Sequence, residues 1–514
     1  MLFCTKRLIA AAFALSICSA SVSCSSDGNR YRSDSLGGLD MSGSDNGVAG
    51  KDKIYDDINT STDTAVTTAP AVTSTATTTT VTTTAAPNIK GDIYDVNGNI
   101  LMYSNYEVDT EVRYYSSGYK ISFANILDSY SSFGIDTALD EQLRVKNPTA
   151  VQGHDNVGQS VRLTIDGNVQ NALYEYLQNN NLVGSVVVMR TDGSILSEVS
   201  YPSYDPDLNR TDPTYADSLY NGAFYNKAFQ NATPGSCFKI MSAVISEKNG
   251  VTSLLDDGSW TDAGSTIHNW NWDTASYLYP MERSLYSAIV DSSNVFFAKA
   301  FQQIGKDTVL SDLKNIFCFG NDCNIECDFG PIENNIEIYC DDDLRRSAFG
   351  QSYIKTSPIY LAALGREAVF GDMVRPFIVK NYADTNDITQ NQTPGSTPYD
   401  IIASIPQENR QTLLEGMKGV ASNFRFYPPA GYSLYAKTGT AETGAGDFLY
   451  ITGCLKNDND NSASKPQFTD YSDYKSNGSY IIVMQIQNPQ DHGFSFASDS
   501  AMFYKGIIDI VLSY

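Results

Sequence analysis

Apolar and polar positions divide the chain into a polar head and a patterned body. Residues 8–17 form an apolar run, preceded by Lys6 and Arg7 and followed by small residues up to Cys24. That is the three-part pattern of a secretory signal, and its roughly ten apolar residues are too few to span a bilayer core of about 30 Å. Residues 25–88 are Ser/Gly/Asp-rich and then Thr/Ala/Val/Pro-rich, with runs such as Thr77-Thr78-Thr79-Thr80. Such a segment cannot bury enough apolar surface to offset chain entropy, so it predicts a disordered tether with a reach of about 45 Å.

Regular patterning begins near Ile89. Two short strands meet at Asn97-Gly98, a strong hairpin signal. Alternation predicts a strand over 161–165, a helix over 168–178, a buried strand over 184–189 and a strand over 195–199. Helical patterns follow at 281–290 and 295–304. The distal end predicts strands at 433–437, 448–455 and 480–487, then a helix over 497–512. Strands at both ends of a long segment with helices between them predict an α+β fold, with one mainly antiparallel sheet assembled from distant pieces. The expected organisation is a signal over 1–24, a tether over 25–88, a small β-rich lobe over 89–160 and a main domain over 161–514.

The 514 residues carry 59 Asp+Glu against 35 Lys+Arg, a net charge of −24. That excess of acid argues against binding nucleic acid and against a polybasic grip on anionic lipid. Only three His occur, at 154, 268 and 492, scattered through the chain. A His-based metal site or a Ser-His-Asp triad is therefore disfavoured, with His268 and His492 the candidates that would revive one.

Chemistry without histidine is available. Thr233-Pro234-Gly235-Ser236-Cys237-Phe238-Lys239 reads as a helix start, followed by residues apolar nearly all round. Ser236 and Lys239 share a face at i and i+3. A serine is a weak nucleophile until a base takes its proton, and a lysine serves as that base once burial lowers its pKa. Ser-x-x-Lys alone is common here: Ser117/Lys120, Ser311/Lys314, Ser352/Lys355, Ser462/Lys465 and Ser472/Lys475 repeat it. What distinguishes Ser236 is its company, Ser292-Ser293-Asn294 between two helical patterns and Lys437-Thr438-Gly439-Thr440-Ala441-Glu442 at the end of a strand. Gly439 is expected to let a substrate backbone lie against the strand edge.

Ser-x-x-Lys, Ser-x-Asn and Lys-Thr-Gly in that order resemble the motif set of penicillin-binding proteins and serine β-lactamases. The stretch 90–98, Leu163-Thr164-Ile165-Asp166, Tyr201-Pro202-Ser203-Tyr204-Asp205-Pro206, Gly350-Gln351 and Thr356-Ser357-Pro358 are similar to class B penicillin-binding proteins. Lys90 and Val96 depart from that pattern, where Arg is usual. The resemblance implies a peptidoglycan D,D-transpeptidase with the serine β-lactamase-like fold. Ser236 would be the nucleophile, Lys239 its base, and Ser292, Asn294 and Lys437 the remaining catalytic residues. Thr438, Gly439 and Thr440 would bind the stem peptide ending in D-Ala-D-Ala. It implies acylation by β-lactams, no metal or organic cofactor, and a wall-synthesis glycosyltransferase as partner. The chain would work outside the cytoplasm, held at the outer face of the cell membrane. Rival readings are a β-lactamase or D,D-carboxypeptidase on the same fold, and a non-catalytic β-lactam sensor or wall scaffold.

Ser21-Val22-Ser23-Cys24 resembles a lipoprotein processing site without its usual Leu. Lipidation of Cys24 therefore stands beside ordinary signal cleavage or an uncleaved anchor. Cys237 and Cys454 read as core residues. Cys318, Cys323, Cys327 and Cys340 are expected to form two disulfides of unassigned connectivity, with a thiolate zinc site as the alternative.

Overall fold

The computed structural model describes residues 89–105, 112–127, 134–145, 157–219, 222–383, 392–443, 446–460, 478–494 and 497–514. The expected signal, Cys24 and the expected tether lie outside these residues, as does most of a polar insertion at 456–477.

Five antiparallel strands make the central sheet, in the order Tyr432–Ala441, Phe448–Asn457, Tyr480–Gln487, Gly184–Arg190 and Ile195–Tyr201. Its inner strands read as continuous apolar runs because both faces are covered. The two-residue period sorts them. Val186, Val188, Ile482 and Met484 join a core with Leu173 and Tyr504, from helices Gly167–Asn179 and Ala501–Ser513. Val187, Met189, Ile481 and Val483 face the other way, into a core with Met241 and Leu361, from helices Lys239–Lys248 and Pro358–Phe370. The latter helix is buried along its whole length. Ser357 caps it by accepting from Tyr360 N–H at 3.4 Å, and Pro358 opens it where a missing N–H costs nothing. The expected α+β architecture is thus present, with the Lys437 strand at one edge of the sheet.

A second sheet runs in the order Gln392–Pro394, Val379–Ala383, Ser160–Leu163, Ile93–Tyr94, Ile100–Ser104 and Arg113–Tyr115. The Ile93 and Ser160 strands are parallel and the other neighbours antiparallel. The predicted hairpin is held by Asp95, which accepts from the N–H groups of Asn97 at 2.9 Å and Asn99 at 2.7 Å, while Gly98 takes φ +90°. The division expected between residues 160 and 161 falls inside the strand Ser160–Leu163.

Two expectations are corrected. Residues 281–290 are not one helix: Met281–Ser284 is a strand paired with Ser253–Asp256, and the helix begins at Leu285. The inward side chain of that strand is Arg283, ion-paired with buried Asp256, so no apolar alternation marked it. The two disulfides are absent, since Cys318, Cys323, Cys327 and Cys340 are free thiols. Three of those thiols point to separate oxygens: Cys318 to the carbonyl of Cys323, Cys327 to that of Ile325, and Cys340 to the Asp343 carboxylate. No helix among the described residues is long and apolar enough to cross a membrane.

Candidate active site

Pro234 and Gly235 halt the chain at the head of the buried helix. Gly235 has φ +53°, and a side chain there would lie 2.5 Å from the carbonyl oxygen of Thr440. Residues Gly235–Phe238 wind as a 3₁₀ turn leading into the α-helix Lys239–Lys248. At three residues per turn, side chains at i and i+3 eclipse. The tighter turn therefore aligns Ser236 and Lys239 more closely than the expected α-helical turn, and Lys239 Nζ lies 2.9 Å from Ser236 Oγ.

The second segment is the turn between helices Leu285–Val290 and Asn294–Ile304. Ser292 sits there at φ +54°, a left-handed conformation that costs a non-glycine residue about 1–2 kcal/mol. That backbone brings three oxygens to the lysine: Lys239 Nζ lies 2.7 Å from Ser292 O, 3.1 Å from Ser292 Oγ and 2.7 Å from Asn294 Oδ1. With Ser236 Oγ, four oxygens surround an amine that carries at most three protons. A neutral amine likewise offers three positions, two N–H groups and one lone pair that can take the Ser236 hydroxyl proton, so the fourth oxygen, Ser292 Oγ, is shared with Lys437.

The third segment is the edge strand. Lys437 Nζ is 3.0 Å from Ser292 Oγ and donates to the carbonyl of Thr438 at 3.0 Å. The Ser292 hydroxyl thus stands between two amines. Both lysines are buried. Burial, and then the charge of Lys437, hold Lys239 well below the ordinary lysine range, while burial lowers Lys437 to about 8.

Thr438 and Thr440 line a groove of about 950 Å³ together with Ser236, Ser292, Asn294 and Phe349. Gly439 does not. A side chain on it would lie 2.6 Å from Pro234 O and 3.0 Å from Cys237 N, so this glycine lets the serine-bearing turn seat against the strand. In the structure this glycine makes room for the backbone of the Ser236 turn. Cys237 is buried, its thiol pushed up to about 11 by desolvation. His268 stacks on Trp272 at 4.2 Å, and among the described residues its ring makes no hydrogen bond to Ser236. Exposed Tyr277 and Tyr427 lie outside the groove lining.

Sequence reasoning missed the support beneath the Ser-x-Asn turn. Asp256, fully buried, accepts from Ser293 Oγ at 2.7 Å, Arg283 Nε at 2.6 Å, Asn269 Nδ2 at 2.9 Å and Gly258 N–H at 2.9 Å. Asn269 Oδ1 in turn accepts from Asn294 N–H at 2.8 Å and Val295 N–H at 3.1 Å. Ser293 caps the next helix by accepting from Phe296 N–H at 3.0 Å. The sole local signal for this network was the turn residue Gly258 after Asp256-Asp257.

The family described as "Penicillin binding protein transpeptidase domain" matches residues 184–507. The chain is 29% identical over 357 residues to "Penicillin-binding protein 3" of Bacillus subtilis, covering 66% of this chain and 49% of the relative. It is 27% identical over 350 residues to "Peptidoglycan D,D-transpeptidase PbpA" of Mycolicibacterium smegmatis, covering 61% of this chain and 69% of the relative. The chain therefore spans about half the length of the Bacillus protein. Among solved structures, the ceftriaxone acyl-enzyme of penicillin-binding protein A from M. tuberculosis superposes with TM-score 0.66 at 20% identity, over 83% of this chain and 99% of that one. The D,D-transpeptidase domain of a peptidoglycan glycosyltransferase from Eggerthella lenta gives 0.65 at 19% identity, over the same shares.

Proposed function

The chain belongs to the penicillin-binding-protein transpeptidase family, and from that premise we propose that it is a class B peptidoglycan D,D-transpeptidase acting through an acyl-Ser236 intermediate. One observation carries the reading: Ser236, Lys239, Ser292, Asn294 and Lys437, drawn from three distant segments, are joined by hydrogen bonds of 2.7–3.1 Å.

Lys239 takes the Ser236 proton as Oγ attacks the carbonyl of the penultimate D-Ala of a stem peptide. The scissile C–N bond breaks as a proton passes through Ser292, with Lys437 beside it, to the departing D-Ala amine. Thr438 and Thr440 hold the terminal carboxylate next to the Lys437 cation, and Asn294 binds the peptide's amide. The N–H groups of Ser236 and Thr440 receive the oxyanion, each contributing about 3–4 kcal/mol in comparable sites. The amine of a second stem peptide then takes the acyl group, re-forming a C–N bond and freeing Ser236. β-Lactams enter as mimics of D-Ala-D-Ala; ceftriaxone forms an acyl-enzyme complex with the M. tuberculosis protein.

The expected setting is extracytoplasmic. A signal over 1–24, with lipidation of Cys24 as one anchoring route, a tether over 25–88 and a glycosyltransferase that supplies glycan strands complete the proposal.

Intact-mass spectrometry after penicillin addition tests it, with Ser236→Ala as control. A single adduct that persists for many minutes and is missing in the variant supports a transpeptidase. Rapid loss of the adduct with hydrolysed drug accumulating reassigns the chain as a β-lactamase. No adduct at all removes the catalytic reading.

A further inference from the structure

Among the residues lining the groove the charged ones are Asp291, Arg346 and Glu442. Arg346 lies on the helix Asp341–Ser347, with its side chain 36% exposed. Its guanidinium is clamped along one edge: Nε donates to Asp342 at 2.8 Å, and Nη2 donates to Ser265 Oγ at 2.9 Å and Thr266 O at 3.5 Å. Asp342 is shared with Arg345, which also pairs with Asp262. Nη1 has no partner among the described residues and is not buried. The backbone beneath is tied to the nucleophile. The carbonyl of Arg346 accepts from Phe349 N–H at 3.3 Å and Gln351 N–H at 3.1 Å, and Gly350 O accepts from Gly235 N–H at 3.1 Å. The Phe349 ring lies 5.9 Å from Lys239 Nζ. A cation held this rigidly loses little entropy on binding.

Its place along the groove indicates what it meets. Ser236, Asn294, Thr438, Thr440 and Arg346 line one groove. Asn294 Nδ2 donates to the carbonyl of His268 at 2.9 Å, at the end of the strand Ser265–His268, whose beginning Arg346 grips. Two to three residues of strand span about 7–10 Å. A donor whose scissile carbonyl sits at Ser236 thus has Arg346 within the same groove, one short strand away from Asn294.

We propose that Arg346 forms a subsite for a carboxylate carried by the donor stem peptide upstream of the acylated D-Ala, so that donors with that carboxylate free react faster than amidated ones. This inference rests on the transpeptidase reading. Two positions supply such a group: the side-chain carboxylate of a diamino-diacid third residue, and the α-carboxylate of a γ-linked glutamate before it.

The test uses the full chain and three soluble pentapeptides ending in D-Ala-D-Ala: unmodified, amidated at the third residue, and amidated at the second. D-Ala release measures acylation. About a tenfold slower specificity constant is expected for one amidated peptide, which identifies the carboxylate bound. Arg346→Gln is expected to remove the difference, and Arg346→Lys to restore part of it. Equal constants for all three peptides with the native chain, or a difference that persists in Arg346→Gln, would overturn the subsite. Penicillin G acylation is read in parallel. Its failure in the native chain counts against the acyl-transfer reading itself, a result separate from the peptide ratios.

Discussion

Two lysine amines share one serine hydroxyl, and their division of labour follows from which is neutral. In the proposed mechanism Lys239 takes a proton only as the free amine, so acylation should rise with pH through its depressed pKa. The same mechanism uses Lys437 as a cation, and burial brings it to about 8, so the rate should fall as pH passes that value. Stopped-flow acylation by penicillin at constant ionic strength should trace a bell whose alkaline limb lies near 8, the two limbs belonging to the coupled pair. Lys437→Gln removes the positive neighbour that helps hold Lys239 down. Its acid limb should move to higher pH and its alkaline limb should vanish; an unmoved acid limb would contradict the charge coupling. Gly439 makes a purely steric prediction. Gly439→Ala places a methyl 2.6 Å from the Pro234 carbonyl, so the serine turn must lift off the strand. Overpacking of this kind costs about 1–3 kcal/mol, and a displacement of about 1 Å at a nucleophile costs about a hundredfold in rate. Thermal melts and acylation rates of the variant read the two effects separately, and native values for both would show that the contact is slack.

The Ser292-Ser293-Asn294 turn is held in its left-handed shape by two short strand pairs that carry no catalytic residue. Asp256 ends one strand, Arg283 lies in its partner, and Asn269 follows the strand Ser265–His268. Together they fix Ser293, Asn294 and Val295. Asp256 also opposes the effect of Lys437, because its negative charge raises the pKa of Lys239. Asp256→Asn should therefore shift the acid limb of acylation to lower pH, the reverse of Lys437→Gln; a loss of rate at unchanged limb position would reduce Asp256 to scaffolding. Asp256→Ala also breaks a buried ion pair and should cost about 3–5 kcal/mol in denaturant unfolding. The three motifs of the candidate site were legible in the sequence because each is local: a turn, a cap and a strand end with fixed residue types. Their support was not, because Asp256, Asn269 and Arg283 come from separate elements and meet only through strand pairing. Arg283 also hid its strand by placing a cation where alternation calls for an apolar side chain. The cysteines misled for the opposite reason: four close in sequence suggested two bridges, while the Cys318 and Cys323 thiols meet unbonded and Cys327 and Cys340 turn to the Ile325 carbonyl and the Asp343 carboxylate.

On the scale of the whole molecule, the N-terminal segment and the catalytic body share a sheet. The strand Ser160–Leu163 has Ile93–Tyr94 on one side and Val379–Ala383 on the other. The hairpin at Asn97-Gly98 was legible because its residues are neighbours; its continuation into a strand more than two hundred residues later was not. The packing agrees with the pairing. Ile93, Leu101, Phe123 and Leu143 are fully buried, in the same core as Val187, Met189 and Phe238, the last of these in the nucleophile's own turn. Each such side chain contributes about 1.5–3 kcal/mol on burial, so these four alone are comparable with the net stability of a typical domain. Residues 89–160 should therefore melt together with the catalytic body. A thermal scan followed by aromatic circular dichroism and by remaining penicillin acylation should give one coincident transition for the full chain. A chain starting at residue 161 would expose both the edge of the Ser160–Leu163 strand and the vacated core face. It should aggregate or lose acylation well below the melting temperature of the full chain. If it instead folds and reacts with penicillin at the native rate, the second sheet is an accessory, and the nucleophile's packing depends on the central sheet alone.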